Sequence, residues 1–140
     1  MPAETSCGAI IFNKSHGAIK YLLLHYESGH WDFVKGHKEN KETDFETVIR
    51  ETREETGIED LKFIDGFKER ITYFYKTPDG KTSFKQVFFY LAETKTTEVK
   101  LSFEHIGYKW LSFEDAYNMV TYKNAKDVLL KAHSFLKTKS

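Results

Sequence analysis

A chain of 140 residues reads as a single domain spanning residues 1–140, long enough to bury roughly two thirds of the surface its unfolded form exposes. Twenty-one Lys and Arg balance twenty-one Asp and Glu, and a formal net charge of +0 excludes whole-molecule attraction to nucleic acid or to an anionic membrane. Cys7 is the single cysteine, which excludes an intrachain disulfide and favours a reducing compartment. The first residues lack a signal peptide's basic and apolar regions, and no stretch nears the ~20 apolar residues of a membrane span, so a soluble cytoplasmic protein is expected. Aromatic residues reach 16%, more than a core of this size requires, which leaves some to face a ligand.

In chain order, residues 7–12 and 19–26 are β-rich runs separated by a turn-prone segment at 13–17. A short WDFV run at 31–34 leads into GHKENKETDFETVIRETREETGI at 36–58. There Thr43 stands three residues before Glu46, a capping box that starts a helix, and Gly57 stands where a left-handed residue ends one. Phe45, Val48, Ile49 and Thr52 recur at helical spacing and are expected to form its buried stripe. Strands are expected at 61–67, 70–76 and 83–93, the last two forming a hairpin around Pro78-Asp79-Gly80. A further strand at 107–111 precedes a helix capped by Ser112 and a last helix over about 124–137. Strands, one helix, more strands and then helices predict an α/β fold, a mixed sheet with helices on both faces.

The helix at 44–56 carries the chemistry. At about 100° per residue, Glu51, Glu54 and Glu55 fall in one sector beside the apolar stripe. Carboxylates so close repel one another, and a hard divalent cation that prefers oxygen ligands relieves the repulsion; Mg²⁺ is the natural candidate because it also coordinates phosphate. Glutamates at this spacing are more often a solvated face, and Arg50 with Glu54 is an ordinary i,i+4 pair. Gly36, Glu42 and Gly57 standing in register with them change that reading.

Gly36, Glu42, Arg50, Glu51, Glu54, Glu55 and Gly57 fill the pattern G-x5-E-x7-R-E-U-x-E-E-x-G-U, U being bulky and apolar, and the segment thereby resembles the Nudix box. The resemblance implies a Nudix αβα sandwich with a mixed central sheet, and hydrolysis of a nucleoside diphosphate linked to another group. It implies Glu51, Glu54, Glu55 and the backbone carbonyl of Lys35 as metal ligands, with Glu42 and Arg50 orienting loop and helix. Thr52 departs from the family's usual apolar residue.

Beyond the box, YLLLHY at 21–26, GFKERITYFY at 66–75, KQVFFYLAE at 85–93 and LSFEHIGYKWL at 101–111 are similar to the animal-type asymmetric diadenosine tetraphosphate hydrolases, a Nudix subgroup. This similarity implies cleavage of bis(5′-adenosyl) tetraphosphate to ATP and AMP with Mg²⁺, or Mn²⁺ as substitute, by a monomer that does not engage nucleic acid. It implies His30, Lys35 and Lys85 as phosphate contacts and Tyr73, Tyr108 and Phe135 as aromatic partners of the base. It puts Glu51 first as catalytic base or base-adjacent ligand, and Glu104 second, as an additional metal ligand or an aid to the attacking water. Phe33 and Val34 stand where the animal enzymes usually carry two prolines, so the resemblance leaves the rigidity and the selectivity of the metal loop open at this point. Two alternatives stay open: a Nudix pyrophosphatase acting on a nucleoside triphosphate, a sugar nucleotide or an RNA 5′ end, and a non-catalytic nucleotide-binding domain.

Overall fold

Strand β1 (Glu4–Ser15) is the axis of the protein, because its side chains are buried alternately on two faces of one sheet. Cys7, Ala9 and Ile11 point one way, Ile10 and Phe12 the other. In this computed structural model, which describes residues 4–139, β1 is followed by β2 (Ala18–Tyr26), β3 (Trp31–Asp32), β4 (Val34–His37) and helix α1 (Asp44–Thr56). Then come β5 (Lys62–Phe63), β6 (Glu69–Lys76), β7 (Thr82–Glu93), β8 (His105–Leu111), α2 (Phe113–Met119) and α3 (Lys123–Lys139). The eight strands form one mixed sheet with the spine β3-β2-β1-β7-β5, to which β4 adds on β1, β6 on β7 and β8 on β2. The α/β architecture expected from the sequence is the one observed.

Two layers close the sheet. On one face Ile10, Phe12, Leu23, Phe89 and Leu91 meet Ala116 of α2 and Val128, Leu129 and Ala132 of α3. On the other, Ala9, Ile11, Leu22 and Leu24 meet Val48 of α1 and Ile58 just beyond it. Such double coverage explains why β1 and β2 read as continuous apolar runs rather than alternating ones.

One edge of β1 is divided between two partners, and that division makes room for the site. β2 pairs antiparallel with β1 only from Phe12↔Tyr21 to Ser15↔Ala18 and then leaves to pair with β3 and β8. β4 takes over the vacated edge from Ser6↔His37 to Ala9↔Val34, while the opposite edge runs parallel to β7 from Glu4↔Lys85 to Phe12↔Glu93. Val34 is thus held by strand pairing and Phe33 by complete burial, so packing anchors the approach that prolines would have stiffened.

Helix α1 starts and stops where the sequence predicts. Thr43 Oγ1 accepts from the Glu46 N–H at 3.2 Å, Glu46 Oε1 accepts from the Thr43 N–H at 2.8 Å, and Gly57 ends the helix at φ 78°. Its buried stripe is rotated from the expected one. Val48 and Thr52 are buried, but Phe45 and Ile49 are each 45% exposed, and Thr47, Glu55 and Thr56 complete the inner face. The seat on β4 is too shallow for large side chains, since a Cβ at Gly36 would already collide with Glu51. Phe45 packs instead at the rim, 4.6 Å from the Phe63 ring and 4.8 Å from that of Tyr90. The strand expected at 61–67 shrinks to β5, because Gly66 at φ 95° breaks the extended run.

Thr52 is fully buried and its Oγ1 has no hydrogen-bond partner among the described residues. Valine keeps the shape and removes the orphan hydroxyl, so Thr52→Val is expected to stabilise the fold by about 1 kcal/mol, read as a higher urea midpoint with unchanged slope.

Candidate active site

Arg50 organises the carboxylates of α1. Its Nε donates to Glu42 Oε2 at 2.7 Å, and its Nη1 donates to Glu51 Oε2 and to Glu54 Oε1, both at 2.9 Å. Nη2 donates to the His37 carbonyl at 3.0 Å and to Glu42 Oε1 at 3.1 Å. Every one of the five guanidinium N–H groups is engaged, which joins α1, the loop before it and strand β4 in one network. Glu42 also accepts from the Glu39 N–H at 3.0 Å and from Thr47 Oγ1 at 2.9 Å. The hydrogen bonds from Arg50, then that from Glu39, push its carboxyl from 4.5 down to about 2.

The acids differ sharply in environment. Glu54 is about half exposed, Glu51 is mostly covered, and Glu55 is 5% exposed. Burial first, then the neighbouring Glu51 carboxylate, with Glu104 and Glu54 adding, pushes the Glu55 carboxyl up to about 10. Its Oε1 is buried without a hydrogen-bond partner. Among the described residues no three His, Cys, Asp or Glu side chains already converge around one point. The donor set nevertheless suits a hard divalent cation: oxygen ligands only, mutually repelling, with a second oxygen of Glu51 and of Glu54 left beyond those that Arg50 holds.

A second group gathers beside the first. Lys35 Nζ lies 3.0 Å from Asp32 Oδ2, Asp32 being 1% exposed, and 5.5 Å from the centre of the Tyr73 ring. Burial opposes the charge of Lys35, but Asp32 outweighs it and leaves the ammonium pKa raised. Tyr73 pairs across the ladder with Lys85, whose pKa is lowered by burial and by Lys35. The His30 ring stacks on Tyr26 at 4.5 Å and tilts towards Tyr122 at 5.4 Å, and its Nδ1 shares a 2.8 Å hydrogen bond with Ser28. Burial lowers the His30 pKa, which keeps the imidazole neutral.

Tyr26 feels the carboxylates of the first group and stacks on His30 of the second. Its hydroxyl donates to the Phe33 carbonyl at 2.7 Å, and burial, followed by the field of Glu55, Asp32, Glu104 and Glu51, holds the phenol well above its ordinary value. Glu104 is exposed in the turn before β8, where its carbonyl accepts from the Glu27 N–H at 3.2 Å.

Of the residues singled out in the sequence, the fold brings Glu51, Glu54, Glu55 and Glu104 within one another's field, and sets Lys35 beside Tyr73 and near Lys85, with His30 stacked on Tyr26. Tyr108 and Phe135 are placed differently. Tyr108 opposes Leu24 and so projects on the α1 face, whereas Tyr73 packs against the core under α3. Phe135 meets Phe67 edge-on at 5.7 Å and covers Gly66. Sequence reasoning passed over Tyr26, Asp32 and Tyr122. Asp32, three residues before Lys35, carried a local signal; Tyr122 did not, since it reaches the site only because Trp31 and Thr121 exchange hydrogen bonds of 2.8 and 3.1 Å. A cavity of about 640 Å³ lies at the other end of β1 between Phe12, Phe63 and Leu136, and none of these site residues lines it.

A carboxyl depressed in the folded state stabilises the fold above its unfolded value and loses that contribution as pH falls through the folded one. For Glu42 the window runs from 4.5 down to about 2. The urea midpoint of the wild type is therefore expected to fall more steeply across that window than that of Glu42→Gln, which cannot titrate there.

The NUDIX domain profile matches residues 3–132. The asymmetrical bis(5′-nucleosyl)-tetraphosphatase of Mus musculus is 39% identical over 146 residues, covering 96% of each chain. The protein of the same name from Caenorhabditis elegans is 35% identical over 136 residues, covering 94% of this chain and 95% of the relative. The crystal structure of a C. elegans Ap4A hydrolase binary complex superposes with a TM-score of 0.83 at 34% identity, over 97% of this chain and 99% of that one. The box residues latched by Arg50, the sandwich that carries them and these full-length likenesses agree: the chain belongs to the Nudix hydrolase family.

Proposed function

We propose that this protein is a Mg²⁺-dependent hydrolase that cleaves bis(5′-adenosyl) tetraphosphate asymmetrically into ATP and AMP. The observation that carries the reading is the adjacency, at Tyr26, of a carboxylate group and a group of cations and aromatic rings. Relatives that match along almost the whole chain bear the name of that activity.

Glu51, Glu54, Glu55 and Glu104, with the Lys35 carbonyl, are the residues that would hold the cation. When bound, Mg²⁺ supplies charge to offset phosphate and lowers the pKa of water. Arg50 fixes Glu51 through Oε2, which leaves Oε1 to take the proton of an attacking water. Lys35 and Lys85 meet phosphate as point charges, and His30, its Nδ1 already turned to Ser28, offers Nε2 to a phosphate oxygen. The ring of Tyr73 beside Lys35, with Tyr122 near enough to act on the same ammonium, suits an adenine, a contact worth ~1–3 kcal/mol per stacked base. An unequal split follows if one adenosine is seated there, because the tetraphosphate then lies at one register over the carboxylates. The reading extends to Mn²⁺ as a substitute cation and to one domain acting as a cytoplasmic monomer, where the buried thiol of Cys7 suits reducing conditions.

Hydrolysis in ¹⁸O-labelled water is expected to yield ATP and AMP in equal amounts with label in one product. Two ADP, or faster turnover of another nucleotide at equal concentration, would overturn the assignment. Glu51→Gln is expected to lower kcat by roughly 10²–10⁴-fold while nucleotide binding survives, measured by steady-state kinetics and equilibrium binding.

A further inference from the structure

The turn at 102–105 does more than deliver Glu104. It is tied to the end of α1 by the Ser102 N–H, which donates to the Glu55 carbonyl at 3.3 Å. It carries His105, whose side chain is completely buried and meets the Tyr26 ring edge-on at 4.4 Å. His105 Nε2 lies 3.2 Å from Glu55 Oε1, and each of these atoms is buried without a hydrogen-bond partner in the present alignment. Two orphan polar atoms facing each other at that distance are one small side-chain rotation from a hydrogen bond.

The direction of that bond is decided by what surrounds it. A carboxylate that ligates a cation carries no proton, so the hydrogen between the two atoms has to sit on Nε2. A neutral imidazole protonated there needs a donor at its other nitrogen. Ser102 Oγ lies 3.1 Å from His105 Nδ1 and accepts from the Glu104 N–H at 3.4 Å, which leaves its own hydroxyl proton to give to Nδ1. The opposite tautomer would set the Nε2 lone pair against the carboxylate.

We propose that His105 is a positioning residue for Glu55: its Nε2–H donates to Oε1, with Ser102 selecting the tautomer, and so turns the other oxygen of Glu55 towards the cation. The inference rests on the proposed role of Glu55 as a ligand. Such outer partners orient a ligating side chain without touching substrate.

The test is Mn²⁺ binding to the full-length cation-free protein, followed by electron paramagnetic resonance, for wild type and for His105→Gln, His105→Asn, His105→Phe and Ser102→Ala. Glutamine places an amide N–H where Nε2 lies; asparagine places it where Nδ1 lies and leaves Glu55 unmet. His105→Gln is expected to stay within about 3-fold of wild type, while the Asn and Phe variants weaken Mn²⁺ by roughly 10–100-fold and Ser102→Ala moves the same way by less. Thermal midpoints without cation separate these losses from damage to the fold, and if the Phe variant does not fold, the two amide variants carry the decision. Equal losses for Gln and Asn, or wild-type affinity in all variants, would overturn the proposal alone. Absence of Mn²⁺ binding by the wild type would overturn the metal-site reading and this inference with it.

Discussion

The site depends on one guanidinium. Arg50 gives each of its five N–H groups to an acceptor, and those acceptors belong to the loop before α1, to strand β4 and to the helix itself. Without it, Glu42, Glu51 and Glu54 would be like charges crowded together, and the cost of that crowding would oppose the fold. With it, two acids of the helix are held by one oxygen each while the rest of their donor capacity stays available. The planar fork of arginine suits this task; a lysine ammonium has neither the reach nor the fixed directions.

Arg50 leaves Glu55 to other means. That carboxyl is buried where a charge is expensive, beside Glu51 and facing a neutral His105, so its pKa is pushed up to about 10 in the absence of a cation. The same region carries the buried hydroxyl of Thr52, so the inner face of α1 gives up apolar contact along most of its length. Apolar packing of the other strands and helices, on both faces of β1, sustains this polar wedge.

Much of this was legible in the chain. Thr43 with Glu46, and Gly57, mark the ends of α1 because capping is a local interaction between residues a few positions apart. Burial is different. Phe45 and Ile49 share the helical period of Val48, yet they are half exposed, because the neighbour of α1 is a strand with a glycine at the point of contact. Periodicity reports that a helix has an apolar side, not how closely its partner approaches. Tyr108 and Tyr73 take opposite faces of the sheet for a similar reason: which face a strand side chain takes depends on register, and one residue of shift reverses it.

The sequence by itself determined the chemistry of α1, since the spacing of Glu51, Glu54 and Glu55 and the reach of Arg50 follow from helix geometry. It determined the order of the helices and of the longer strands as well, but not the division of the segment before α1 into β3 and β4. Only the tertiary structure decided what stands opposite that face. Tyr26 meets His30 because a short loop folds back, Tyr122 arrives through hydrogen bonds to Trp31, and His105 reaches Glu55 because β8 pairs with the far end of β2. The last two contacts join residues far apart in the chain, and they accompany the departure of β2 from β1 and its replacement by β4, a choice made by the pairing of strands and written in no single segment.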